Sequence, residues 1–135
     1  MKPTGQAMAS VMPSGTPPVM SLVGVEEGVR VVAQAGIGAI RLKSLVLGEY
    51  AIALHDAWLA PLGCVLGSPR DPERRGGHVA IRHPRARALT AALVARGVVP
   101  DFREPDVVRV GMSPLTTSFS DVHRGLAALR DLLGA

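Results

Sequence analysis

"GCVLGSPRDPERRGGHVAIRHP", residues 63–84, is where the periodicity of this chain changes. Upstream, Leu22, Val25, Val29 and Val32 recur at helical spacing from Pro18 until Gly36 and Gly38 break the pattern. A second helical run extends from about Ala39 to Trp58, with Leu45, Ile52 and Leu59 a heptad apart, and Pro61 with Gly63 end it. Inside the quoted stretch the signal is different: CVLGS and HVAIRH are short and β-prone, and PRDPERRGG between them is rich in turn formers and charge, which predicts two strands joined by an exposed loop. Downstream, Pro84 opens a third helix through Leu89 and Leu93, closed by Gly97, and VVPDF and DVVRVG follow as strands around REP. Ser118 with Asp121 three positions later reads as a capping box before a last helix carrying Val122, Leu126, Leu129 and Leu133. This order predicts an α/β fold, a mostly antiparallel sheet with helices on one face, preceded by a helical pair. The expected organisation is an irregular arm over residues 1–17, the helical pair over 18–60 and a small α/β domain over 61–135.

Composition narrows the class. A chain of 135 residues with 47% hydrophobic content and a mean hydropathy of +0.27 is long enough for one globular domain and too apolar to be disordered. Only Trp58, Tyr50, Phe102 and Phe119 are aromatic, so the core is aliphatic and little is left for stacking single-stranded nucleic acid. Cys64 is the only cysteine, which excludes an internal disulfide and a cysteine-rich zinc site and fits a reducing compartment. No apolar stretch approaches the roughly 20 residues of a membrane helix, and no signal core follows the N-terminus. The expectation is a cytoplasmic chain with no membrane partner. Thirteen of the fifteen basic residues are arginines, and the basic excess of the second half gathers at Arg70, Arg74, Arg75, Arg82, Arg85 and Arg87. They read as a solvated loop and helix face, so no nucleic-acid partner is expected. The competing reading, a small RNA or DNA binder, requires an affinity that falls steeply with salt.

Two places carry chemistry. In SGTPPVMSL, residues 14–22, Pro17 and Pro18 fix φ and bias the preceding residues toward extended backbone. Thr16 then sits at a loop-to-helix junction, where a hydroxyl and free amides can meet an anion, although a stiff helix start needs no ligand. Arg109 lies among Val107, Val108 and Val110; a guanidinium on an apolar strand must find an anion or point to the exposed face, and its planar fork suits a carboxylate. The two lysines, Lys2 in the arm and Lys43 within the long helix, are not expected to carry a Schiff base. His78 and His83, five apart, do not share a strand face, and no metal site is expected. His55 and His123 read as helix-surface residues, Cys64 as a small core residue, and Asp71, Glu73 and Arg75 as loop charges.

GTPPVMSL (15–22), RLKSLVLGEY (41–50), LGSPRDPERRGGHVAIRHP (66–84), RGVVPDFREPDVVRVGMSPL (96–115) and SFSDV (118–122) follow one another in the order and spacing of the C-terminal part of the kynureninase family, and the chain resembles that family over residues 15–133. The resemblance implies the small C-terminal domain of a fold type I enzyme that depends on pyridoxal 5'-phosphate. The implied reaction is hydrolysis of L-kynurenine, or its 3-hydroxy form, to anthranilate, or 3-hydroxyanthranilate, and L-alanine. It belongs to tryptophan catabolism, leading in some organisms to NAD. The implied working unit is a homodimer, or an assembly with a partner N-terminal portion. Thr16, with Gly15 beside it, stands where the family contacts the cofactor phosphate from the neighbouring subunit, and Arg109 where it grips the substrate α-carboxylate. The lysine that holds the cofactor belongs to an earlier part of the family with no counterpart here, so no catalytic residue is assigned in this chain and it is expected to be inactive alone. Thr116 also stands where the family often has tyrosine. The alternative is a non-catalytic remnant or a carboxylate-binding module.

Overall fold

The apolar runs on either side of Gly36 become two helices in the computed structural model, which describes residues 19–134. By its own contacts the chain divides into two units, residues 1–35 and 36–135. In the first, helix α1 spans Val19–Ala35. Its Arg30 pairs with Glu27 at 2.7 Å and Glu26 at 3.2 Å, one helical turn back, and none of its residues is buried.

In the second unit, α2 spans Ile37–Leu54 and continues through a wide π-type turn, His55–Leu59, and a 3-10 turn, Ala60–Leu62. Gly63, at φ +86°, ends it in a left-handed conformation that a side chain would resist. Regular α-helix therefore stops four residues before the expected Trp58.

Four strands then form one antiparallel sheet: β1, Val65–Leu66; β2, His78–Arg82; β3, Asp101–Arg103; and β4, Val107–Gly111. Their order is β1-β2-β4-β3. Helix α3, Ala86–Ala95, lies between β2 and β3 in sequence, and α4, Phe119–Gly134, ends the described chain. Two strands are shorter than CVLGS and VVPDF suggest. Past Leu66 the Gly67 amide still donates to the Ala80 carbonyl at 2.8 Å, but Ser68 accepts from the Ala80 amide through its Oγ, at 2.8 Å, in place of its backbone. Before Asp101, the Val98 amide is drawn to the Leu93 carbonyl at the end of α3, and Pro100 has no amide to offer. Pro84 likewise precedes α3 without entering it, because the Arg85 amide turns back to His83 Nδ1.

The core lies on one face of the sheet. Val79, Ile81 and Val108 point into it, opposite Leu47 and Ile52 of α2, Leu89 and Leu93 of α3, and Leu126 and Leu129 of α4. Each buried leucine contributes about 1.5–3 kcal/mol. The capping box at α4 is complete: the Ser118 amide donates to Asp121 Oδ2 at 2.8 Å, and the Asp121 amide donates to Ser118 Oγ at 3.1 Å. The fold is thus the expected small α/β domain, an antiparallel sheet with helices on one face.

Two residues read as surface groups are interior. His55 is buried, with Nδ1 3.0 Å from Asp56 Oδ1 and Nε2 without a partner among the described residues. It follows Ile52 by three and precedes Leu59 by four, which puts it on their stripe. Arg75 is not a loop charge: its side chain is 2% exposed and folds back under its own loop, donating to the carbonyls of Pro69 (3.1 Å) and Arg70 (2.8 Å) and to Glu49. Gly48 makes room for it, since a Cβ there would stand 3.0 Å from Arg75 Nε.

Candidate functional site

Strand alternation sends every second side chain of the sheet to the face opposite the helices. Pairing aligns Ala80 with Arg109 and Arg109 with Asp101, so a row crosses β2, β4 and β3 on that face. Gly67 extends the row beside β2: a Cβ there would meet the Ala80 Cβ at 3.3 Å. Small residues thus lie on one side of Arg109 and a carboxylate on the other. Arg103, two residues after Asp101, and Arg82, two after Ala80, point the same way.

Arg109 finds an anion within the chain, donating through Nη2 to Asp101 Oδ2, and its side chain remains 34% exposed. The same Oδ2 accepts from Arg103 Nε at 2.8 Å. Farther along the face, Arg82 grips Asp106 through Nε at 3.2 Å and Nη2 at 2.9 Å, and this carboxylate raises the Arg82 pKa. Three guanidinium groups therefore meet two carboxylates, and one positive charge is left over. Such a face can bind a carboxylate on its least solvated arginine.

Other titratable groups serve the fold. Arg70 clamps Asp56 with two bonds of 2.8 Å and, with His55, holds the Asp56 carboxyl well below the usual carboxylate range. Ser118 and Arg124 lower the Asp121 pKa, burial pushes the Cys64 thiol up, and burial with Arg85 lowers His83. Of the arginine-rich segment, Arg70, Arg75, Arg82 and Arg87 have carboxylate partners within the chain. A cavity of about 190 Å³, lined by Leu93, Val98, Val110, Met112, Val122 and Leu126, lies on the helix side of the sheet. No group of three or more potential metal ligands occurs among the described residues, and no single helix among them is long and apolar enough to cross a membrane.

Of the residues singled out in the sequence, Arg109 lies on the open sheet face, while Thr16 and Gly15 lie outside the described residues. Among the described residues none forms a site for pyridoxal phosphate: the one lysine, Lys43, sits partly buried within α2. What the described residues fit is the carboxylate of a ligand. Asp101 escaped the sequence reading, although a signal was there: DFR places an acid and an arginine on one strand face, beside the strand that carries Arg109.

The profile of the kynureninase C-terminal domain matches residues 40–129. Kynureninase of Burkholderia mallei (strain SAVP1) is 41% identical over 119 residues, which cover 88% of this chain and 29% of that protein. Kynureninase of Pseudomonas fluorescens is 40% identical over the same coverage. The chain thus spans less than a third of the length of these relatives. Among solved structures, a "NifS-like protein" superposes with a TM-score of 0.73 at 15% identity, covering 90% of this chain and 35% of the other, a likeness of fold. With a profile matched from the first turn of α2 to Leu129 and relatives at 40–41% identity, this chain belongs to the kynureninase C-terminal domain family.

Proposed function

We propose that this chain supplies the substrate-carboxylate end of a kynureninase-type hydrolase, which cleaves L-kynurenine or its 3-hydroxy form to the corresponding anthranilate and L-alanine. The observation that carries the reading is Arg109, a partly exposed guanidinium on the open sheet face with small residues on one side. Its two-pronged donor edge grips an α-carboxylate and fixes the amino acid against rotation, so binding energy goes into orientation at the distant reacting carbon. In the proposed complete enzyme pyridoxal 5'-phosphate supplies the electron sink, on a lysine contributed by sequence outside this chain. Thr16 and Gly15 are proposed to reach the cofactor phosphate across a homodimer interface.

The test is turnover of L-kynurenine, read as anthranilate fluorescence, by the purified chain with pyridoxal phosphate, alone and mixed with the N-terminal portion of a kynureninase. Activity only in the mixture supports the reading. Silence in the mixture, with the chain folded by circular dichroism, rejects it in favour of a carboxylate-binding module or a remnant.

A further inference from the structure

Arg109 is not a free arginine waiting on a bare strand. Asp101 is its cross-strand neighbour and accepts from Nη2, and among the described residues this is the one side-chain hydrogen bond Arg109 makes. Nη2 carries two N–H bonds and Asp101 accepts only one, so one two-pronged edge, the other Nη2 hydrogen with either Nε or Nη1, stays open for a second carboxylate. Asp101 is itself steadied, because Arg103 Nε donates to the same oxygen at 2.8 Å and Arg103 shares its strand face. One carboxylate thus bridges two guanidinium groups, removing their mutual repulsion and leaving a single net positive charge.

We propose that Asp101 is a positioning residue for Arg109: it holds the guanidinium in one orientation on the open face and leaves the remaining donors to an incoming carboxylate, with Arg103 as its tether. The inference rests on the carboxylate role given to Arg109 above. Two opposite consequences follow from a neighbouring acid. It can preorganise the arginine, or it can compete with the ligand for it. The bridging geometry favours the first. A competitor would take both prongs of the fork, whereas Asp101 takes one and has a second cation of its own. An arginine released from Asp101 would regain side-chain freedom that binding must then remove.

The experiment titrates the full 135-residue chain with L-kynurenine and follows the backbone amide signals of Ala80 and Val110 by NMR, in the wild type and in Asp101→Ala, Asp101→Asn and Arg109→Ala. The amine analogue lacking the carboxyl group serves as control. Expected is a dissociation constant raised up to about tenfold in Asp101→Ala, the cost of immobilising one freed arginine side chain on binding. Asp101→Asn, which keeps an acceptor oxygen, should return it to within about threefold, and the amine analogue should respond equally to all variants. A merely structural role for Asp101 would not produce that rescue or that dependence on the carboxyl group. Unchanged or tighter binding in Asp101→Ala, with binding lost in Arg109→Ala, overturns the positioning role and leaves the carboxylate site standing. Equal binding by wild type and Arg109→Ala, or no saturable shift in the wild type, overturns both.

Discussion

Replacing Arg75 by alanine should destabilise the second unit by about 4 kcal/mol, more than any other charged residue of the 67–77 loop. The magnitude follows from what the side chain touches. Its two bonds to the carbonyls of Pro69 and Arg70, at 3.1 and 2.8 Å, are charge-assisted but partly replaceable by water, and are taken as roughly 1–1.5 kcal/mol each. Two methylene groups beyond Cβ leave a site that is 2% exposed, a further ~1.5 kcal/mol. The Glu49 pair adds little, since that carboxylate is 56% exposed. With a urea slope of about 1.5 kcal/mol/M, the midpoint should fall by about 2.5 M. Because the anchor is local, the loop should also open to trypsin at Arg70 and Arg74. Arg75→Lys keeps the charge and loses the fork, and should recover less than half of the difference. Arg74→Ala, an exposed neighbour, should change the midpoint by less than about 0.3 M. An Arg75→Ala chain that unfolds within about 0.5 M of the wild type, with a trypsin-resistant loop, would refute this account.

Asp56 and Asp121 have folded-state pKa values depressed below their unfolded values, so their contribution is full above about pH 4 and is lost as pH falls through the folded values. Urea midpoints should therefore dip modestly between pH 7 and about 5, where the unfolded chain protonates His83 before the folded one does, and drop further below about pH 4, the second drop being smaller in Asp56→Asn with Asp121→Asn; a rise on acidification would contradict the assignment. Ser118→Ala removes half of the capping box and should cost about 1 kcal/mol, measured as a midpoint shift with an unchanged slope. The Cys64 thiol, buried and with a raised pKa, should react with an aromatic disulfide reagent at least about a hundredfold more slowly in the native chain than in urea.

The sheet and its helices were legible because the alternation in HVAIRH and DVVRVG and the spacing of Val122, Leu126 and Leu129 are imposed by burial on one face. Strand ends were not, since they depend on where individual amides go: Val98 to the end of α3, Ala80 to a serine hydroxyl. His55 and Arg75 were misread for one shared reason. Polarity is a poor sign of exposure at both: the Ile52, His55, Leu59 spacing points inward, and a glycine at position 48 leaves space beside α2 for a long side chain. Arg109 stood out by its apolar flanks. Its partner did not, because cross-strand register is set by the β3–β4 connection, which residue types alone do not fix.

The central claim is that Arg109 receives the substrate carboxylate, and it is tested most directly by kcat/KM for L-kynurenine in the chain mixed with a kynureninase N-terminal portion, comparing Arg109→Ala with Arg87→Ala. Arg87 lies on the helix side, over the Phe102 ring. Loss of a bidentate charged contact should cost roughly 2–5 kcal/mol, so Arg109→Ala should lower kcat/KM by at least about thirtyfold while Arg87→Ala stays within about threefold of the wild type. Equal values for Arg109→Ala and the wild type in an active mixture would contradict the claim.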